Sequence, residues 1–255
     1  MARTARTLPG LSVEKAPVAE QKPVAAPPGP PDSLTDVAYR HIKAAIVNGS
    51  LPPSLLASEQ QIASRLGMSR TPVHQAMSRL EQDGWIRMLP RRGLQIAPIS
   101  PTDMYDVYET LLALEVTAVG RMAARQRAAD DATLVQFEQA CSEGEDALRR
   151  GDLQAWADAD SRFHTLLIES CGNAHLARLG RSVLEHAQRA RQITLKLRPR
   201  PVSSNEDHRA ILLDIRKGDV AGARARMHAH RSRGMDVLLP ILEAMAMRPT
   251  FLDGS

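Results

Sequence analysis

Between residues 58 and 98 the apolar positions recur with two different periods. Ile62 and Leu66 lie four apart, and Val73, Ala76, Met77 and Leu80 continue at helical spacing. Trp85-Ile86-Arg87-Met88 and Leu94-Gln95-Ile96 then alternate as short strands do. The pattern predicts two short helices followed by a two-stranded hairpin. Local chemistry agrees with it. Ser58 is a suitable N-cap, with Gln61 three residues on as in a capping box. Gly67 can close the first helix in the left-handed conformation. Ser69 or Thr71 caps the second, whose first turn tolerates Pro72, and Gly84 ends it. Beyond Ile96 the period is helical only. Ser100-Pro101-Thr102-Asp103 is a helix start, and Gly151-Asp152 and Gly218-Asp219 each read as one helix ending and the next being capped. Helices are expected at about 101–128, 130–149, 152–171, 174–197, 204–217 and 219–245, enough for an antiparallel bundle.

The fold class that results is mainly α: an N-terminal winged helix-turn-helix with a small β wing, then a C-terminal all-α antiparallel helical bundle. The first module puts a helix into the major groove of double-stranded DNA. Its outward positions near the start of the second helix are Arg70, Thr71, His74 and Gln75, where arginine can read guanine and glutamine adenine. Arg91, Arg92 and Gly93 form the wing tip and suit a phosphate or minor-groove contact. Four regions follow: a Pro/Ala-rich disordered tail at 1–31, the winged module at 32–98, the helical domain at 99–245 and a short tail at 246–255.

Charge sharpens this division. The chain of 255 residues has a net charge of +4, and residues 32–98 hold eight Lys or Arg against five Asp or Glu. The basic excess therefore lies mostly in the winged module. No apolar run is long enough for a transmembrane helix and the start lacks a signal-peptide core, so a cytoplasmic protein with no membrane partner is expected. In that setting Cys141 and Cys171 are read as free buried thiols.

The bundle places polar residues on apolar faces. Asp160 and His164 are one turn apart and share a face with Trp156, Phe163 and Leu167. His208 lies with Ile211, Leu212 and Ile215. Val220, Ala223, Met227 and His230 follow 3-4-3 spacing, which turns His230 inward, whereas His228 falls with Arg224 and Arg231 on the polar face. A single inward histidine is ordinarily a core residue bonded to a carbonyl. Burying three imidazoles and a carboxylate is costly unless they are paired or hold a metal, and the set suits a divalent ion: zinc, with nickel or manganese as alternatives. Periodicity does not show that the three helices meet.

SRTPVHQAMSRLEQDGW resembles the most recognisable string of the GntR family of bacterial transcription regulators, Leu34 to Asn48 resembles its first helix and NGSLPP the turn that follows. The resemblance implies that Ser69, Arg70 and Thr71 contact DNA and that Gly93 lies at the wing tip. His74 and Gln60 stand where the family has arginine. ADSRFHTLLIESCGNAHLARL and NEDHRAILLDIRKGDVAGARARMHAH resemble the FCD effector domain of the FadR-like subfamily. That resemblance implies a divalent metal held by Asp160, His164, His208 and His230 at the base of a cavity for a small metabolite, an organic acid. It also marks a departure: the domain's first helix has Leu111 where the family usually carries an arginine; Arg189 and Arg191 are the candidates to replace it, the alternatives being a less acidic effector or a structural metal. The function implied is an effector-controlled repressor without catalytic activity, binding a near-palindromic operator as a homodimer. Two alternatives remain at this level: a metal-dependent helical-bundle enzyme fused to a DNA-binding module, and an architectural DNA binder without a sensor.

Overall fold

The computed structural model describes residues 33–125 and 131–247, and its residues from Ser33 on form one compact unit. Three helices and three short strands come first: α1 (Leu34–Val47), β1 (Leu56–Ala57), α2 (Glu59–Leu66), α3 (Arg70–Gln82), β2 (Ile86–Leu89) and β3 (Gly93–Ile96). The helical region then runs α4 (Pro101–Ala124), α5 (Asp131–Arg150), α6 (Leu153–Ser170), α7 (Ala174–Thr194) with a 3-10 turn at Leu195–Leu197, α8 (Val202–Lys217) and α9 (Val220–Ala246). The expected tail at 1–31 and the helix positions at 126–130 lie outside the described residues, as does most of the expected tail at 246–255.

The local signals do what their chemistry requires. Ser58 and Gln61 form a reciprocal capping box, with bonds of 3.1 and 2.7 Å. Gly67 closes α2 in the left-handed region at φ 63°. Val73, Ala76, Met77 and Leu80 are all buried, and with Ala38, Ile42, Ile46, Trp85, Leu94 and Ile96 they form the core of the winged module. The bundle keeps cores of its own, one of them around Val119, Phe137, Phe163, Ile211 and Met227. Cys141 and Cys171 are both buried free thiols.

The hairpin differs from the expectation in one respect. It is a three-stranded antiparallel sheet in the order β1-β3-β2, with Leu56 opposite Gln95 and Met88 opposite Leu94. The added strand is two residues long and depends on a partner some forty residues away, so no local period announces it. Its presence explains Gly93, which stands at the start of β3 rather than at the tip. A Cβ there would lie 2.3 Å from the Ala57 carbonyl oxygen, and φ is +87°. Gly93→Ala is expected to destabilise the winged module by on the order of 2 kcal/mol, read as a lowered midpoint in thermal unfolding. An unchanged midpoint would mean that β1 does not pack here.

Candidate metal centre and DNA-binding surface

α6, α8 and α9 each turn one histidine into the bundle. His164 is fully buried, and His208 and His230 are nearly so. The Nε2 atoms of His208 and His230 each lie 3.3 Å from Nε2 of His164. Metal–nitrogen bonds of about 2.0–2.1 Å in a tetrahedral site set ligand atoms roughly 3.3 Å apart, so this spacing fits a divalent ion. Asp160 stands a step further out, with Oδ1 3.8 Å from Nε2 of His164 and 3.7 Å from that of His208. The four residues named from the sequence are therefore together, the histidines more tightly than the carboxylate.

Orientation of the imidazoles comes from carboxylates behind them. His230 Nδ1 is 3.1 Å from Asp207 Oδ2. Glu115 Oε1 lies 3.0 Å from His164 Nδ1, off the line of a good hydrogen bond. Such outer carboxylates fix the ring tautomer with the proton on Nδ1 and turn a lone pair on Nε2 inward. Phe163 stacks on the His208 ring at 3.9 Å. Burial, reinforced by Arg231, holds His164 well below the usual imidazole range. Burial and the neighbouring His230 bring His208 down to about 3. The His164 and His208 rings are thus neutral donors. For Asp160 burial acts to raise the pKa, but the guanidinium of Arg191, with that of Arg231 beyond it, draws it below the ordinary carboxylate range, so the carboxyl stays ionised. Three imidazoles and one carboxylate, facing one point, are the donor set a zinc-like ion takes.

Two contributors were not singled out from the sequence. Glu115, fully buried on α4, accepts from Arg231 in a two-bond pair, one bond at 2.6 Å from Nη2 and one from Nε. Arg231 is not on the polar face where the helical period put it; it is 3 % exposed. Leu111, one turn before Glu115, is a core residue. The signal for Glu115 was present, since 111, 115, 118 and 122 form one inward stripe with a single acid in it.

The centre opens into a cavity of about 280 Å³, lined among others by Asp160, His230, Trp156, Arg191, Arg198 and Arg231. Arg191 is here, its Nη1 3.5 Å from Asp160 Oδ2. Arg189 is not. It is two positions away on α7, about 200° around the helix, and it donates to the carbonyl of Ala97 at the end of the winged module. That corrects the pairing of the two arginines as an effector site. The same side of α7 carries Glu185, 2.5 Å from Lys43 of α1, and His186, whose ring stacks on Trp85 at 4.1 Å and 1°. Burial, with Arg189 and Lys43 adding to it, lowers His186 to about 4. One helix thus touches the cavity through Arg191 and the winged module through Glu185, His186 and Arg189.

In the winged module Ser69, Arg70, Thr71, His74 and Gln75 are all exposed at the beginning of α3, and Arg91 and Arg92 at the hairpin tip. Arg91 adopts φ 63°, which turns the tip sharply. Ser69 occupies the N-cap position of α3 without a side-chain cap bond, unlike Ser33, Ser58 and Ser100 at their helices. His74 Nδ1 is 2.9 Å from Glu59 Oε1, and Gln75 accepts from Thr35 at 2.7 Å, so these two side chains are braced within the module.

Two parts of the chain match known families. Residues 34–96 match the gntR family of bacterial regulatory proteins and residues 106–233 match the FCD domain. An uncharacterised HTH-type transcriptional regulator of Agrobacterium vitis, from the TAR-I ttuE-ttuC' intergenic region, is 43% identical over 131 residues, 51% of this chain and 77% of its own. The Escherichia coli HTH-type transcriptional repressor GlaR is 25% identical over 202 residues, 75% of this chain and 90% of its own. In fold, the E. coli protein McbR/YncC superposes with a TM-score of 0.72 at 17% identity, over 84% of this chain and 99% of that one. The chain belongs to the GntR family and carries an FCD domain. It is a DNA-binding transcription regulator, and the relatives are named as regulators rather than enzymes. Among the described residues no helix is long and apolar enough to cross a membrane.

Proposed function

We propose that this regulator is a metal-loaded repressor whose operator binding is released by a small acidic metabolite. The observation that carries the reading is the convergence of three buried imidazole nitrogens at 3.3 Å beside a cavity rich in arginine. His164, His208 and His230 hold the ion with Asp160 completing the set, and the ion, zinc or alternatively nickel or manganese, supplies a Lewis-acid anchor for a ligand carboxylate. The named repressor role of the E. coli relative supports the sign of regulation. The winged module reads a near-palindromic operator as a homodimer, with Ser69, Arg70 and Thr71 at the base edges and phosphates and Arg91 and Arg92 along the adjoining backbone. Gly93 serves this surface by letting β1 approach β3 rather than by touching DNA. A ligand that draws on Arg191 acts on α7, which also bears the contacts to Trp85 and Lys43. It shifts operator binding only as far as its affinity differs between the DNA-bound and free arrangements.

The test is metal analysis of the purified protein combined with operator titration. His164→Ala is expected to lose the bound metal while the folded protein still binds operator, and to lose any ligand response. Full metal content in that variant would sink the site. A metal-loaded wild-type protein whose operator affinity no small acid alters would sink the sensor.

A further inference from the structure

The cavity has a second set of polar groups besides His230 and Asp160. They run from Arg191 near the end of α7, through the Arg198-Pro199-Arg200-Pro201 arm, to Ser203 and Ser204 in the first turn of α8. The arm is held in shape. Two prolines restrict its backbone, Arg198 Nη2 donates to the Arg191 carbonyl at 3.0 Å, and Arg200 donates to the carbonyl of Leu148. The Arg198 guanidinium sits 5.9 Å from the centre of the Trp156 ring, which is itself fixed by a 3.0 Å bond from Nε1 to Asn205.

Charge around the cavity is unbalanced. Five arginines line it, but Arg231 is matched by Glu115 and Arg233 by Asp207. Arg191 has Asp160 at 3.5 Å, yet as a metal ligand that carboxylate is shared with a cation. Arg191 is 7 % exposed, and its Nη2 is buried without a hydrogen-bond partner among the described residues, as is Nε of Arg198. Burial and the nearness of Arg191 both act to lower the Arg198 pKa, so the two guanidiniums repel one another. Asp236, the remaining acid on the lining, is exposed. The start of α8 adds to the imbalance. Its N-cap position is Pro201, with no side-chain cap, where α6, α7 and α9 have Asp152, Asn173 and Asp219 bonded to their first turns. An uncapped helix start of this length carries partial positive charge that favours an anion.

We propose that Arg191, Arg198 and the first turn of α8 form a second anion subsite, so that the cavity takes a small molecule with two acidic groups. This rests on the metal-and-metabolite reading above: one acid is directed to the metal centre and the other to the arginine arm. The chemistry of the second group is that of a carboxylate or a phosphate monoester, both of which accept fork-like hydrogen bonds from guanidinium. Leu111 is then no deficit, because the cationic partner comes from the far end of α7 and the arm instead of from α4.

The experiment is isothermal titration of the full-length, metal-loaded protein with acetate and glycolate, then malonate, succinate and malate, then phosphoglycolate. The di-acids are expected to bind about tenfold or more tightly than the mono-acids, the effect of a charge-assisted hydrogen bond. Arg198→Ala, a half-buried position, is expected to abolish that preference while metal content and mono-acid affinity stay as they were. Arg198→Lys should restore part of it. Preference for phosphoglycolate over malonate supports the subsite and identifies a phosphate ester as the second group; the reverse supports it with a carboxylate. Equal affinity for mono- and di-acids, a preference that survives Arg198→Ala, or no di-acid binding by protein with full metal content would overturn the proposal. A wild-type protein without metal uptake fails at the metal centre itself, and metal analysis separates that failure from the others.

Discussion

Glu115→Ala is expected to lower the stability of the folded protein by about 3–5 kcal/mol, the cost of leaving a buried charge without its partner. Glu115 is fully buried and its two oxygens take both bonds from Arg231, itself 3 % exposed. Removing the carboxylate strands a guanidinium in the bundle and also withdraws the anion behind His164. Two readouts should therefore move: the urea midpoint falls, and metal affinity drops about 10- to 100-fold, as for other outer-shell partners. The double variant Glu115→Leu/Arg231→Met separates the two effects. Replacing a buried pair by apolar groups of similar size is often neutral, so stability should largely return while metal affinity stays low. A single variant with an unshifted midpoint would show that the pair is not buried in the working protein.

Arg70→Ala is the change expected to cost operator binding most, about 1–3 kcal/mol if the guanidinium reads a base. Arg70 is the first residue of α3 and is exposed, next to Ser69, whose hydroxyl makes no cap bond within the helix. The start of α3 therefore offers a cation, a free hydroxyl and helix N–H groups at one place, which is the arrangement that meets both a base edge and a phosphate. Titration with the natural operator and with single-base variants checks it. Loss of affinity with relaxed preference at one base pair identifies base reading. A uniform loss with a shallower salt dependence identifies a phosphate contact instead. Unchanged affinity at all sequences would refute the position of α3 in the groove. The fold need not change, because Arg70 makes no contribution to the apolar core.

What could be read along the chain was what nearest neighbours decide. The Ser58–Gln61 box, the Gly67 stop and the inward positions of α3 are each determined within a turn or two of helix. The inward turn of His164, His208 and His230 was also legible, because each sits among apolar residues at helical spacing. Their meeting was not, since it depends on how three helices pack. β1 is invisible locally because its two residues are a strand only by virtue of β3. Arg231 illustrates a finer limit. Adjacent residues of a helix differ by about 100°, so a wide inward face can hold both His230 and Arg231, and a charge is buried there because Glu115 on another helix meets it. Arg189 and Arg191 show the converse. Their separation of two positions already sets them on nearly opposite sides of α7, and the structure sends one to the Ala97 carbonyl and the other to the cavity.

The chain has two tryptophans, and their positions make them optically separable. Trp85 lies flat against His186 of α7, with Lys43 above its ring at 5.3 Å. Trp156 forms part of the cavity wall beneath Arg198. With Trp156 replaced by phenylalanine, emission comes from the winged module alone, quenched or released as the imidazole slides off the indole. With Trp85 replaced instead, the same lamp looks only into the cavity. The protein thus contains a native pair of fluorophores, one in the cavity wall and one where α7 meets the winged module, and under the proposed ligand control the time order of their two signals would give the direction in which the change travels.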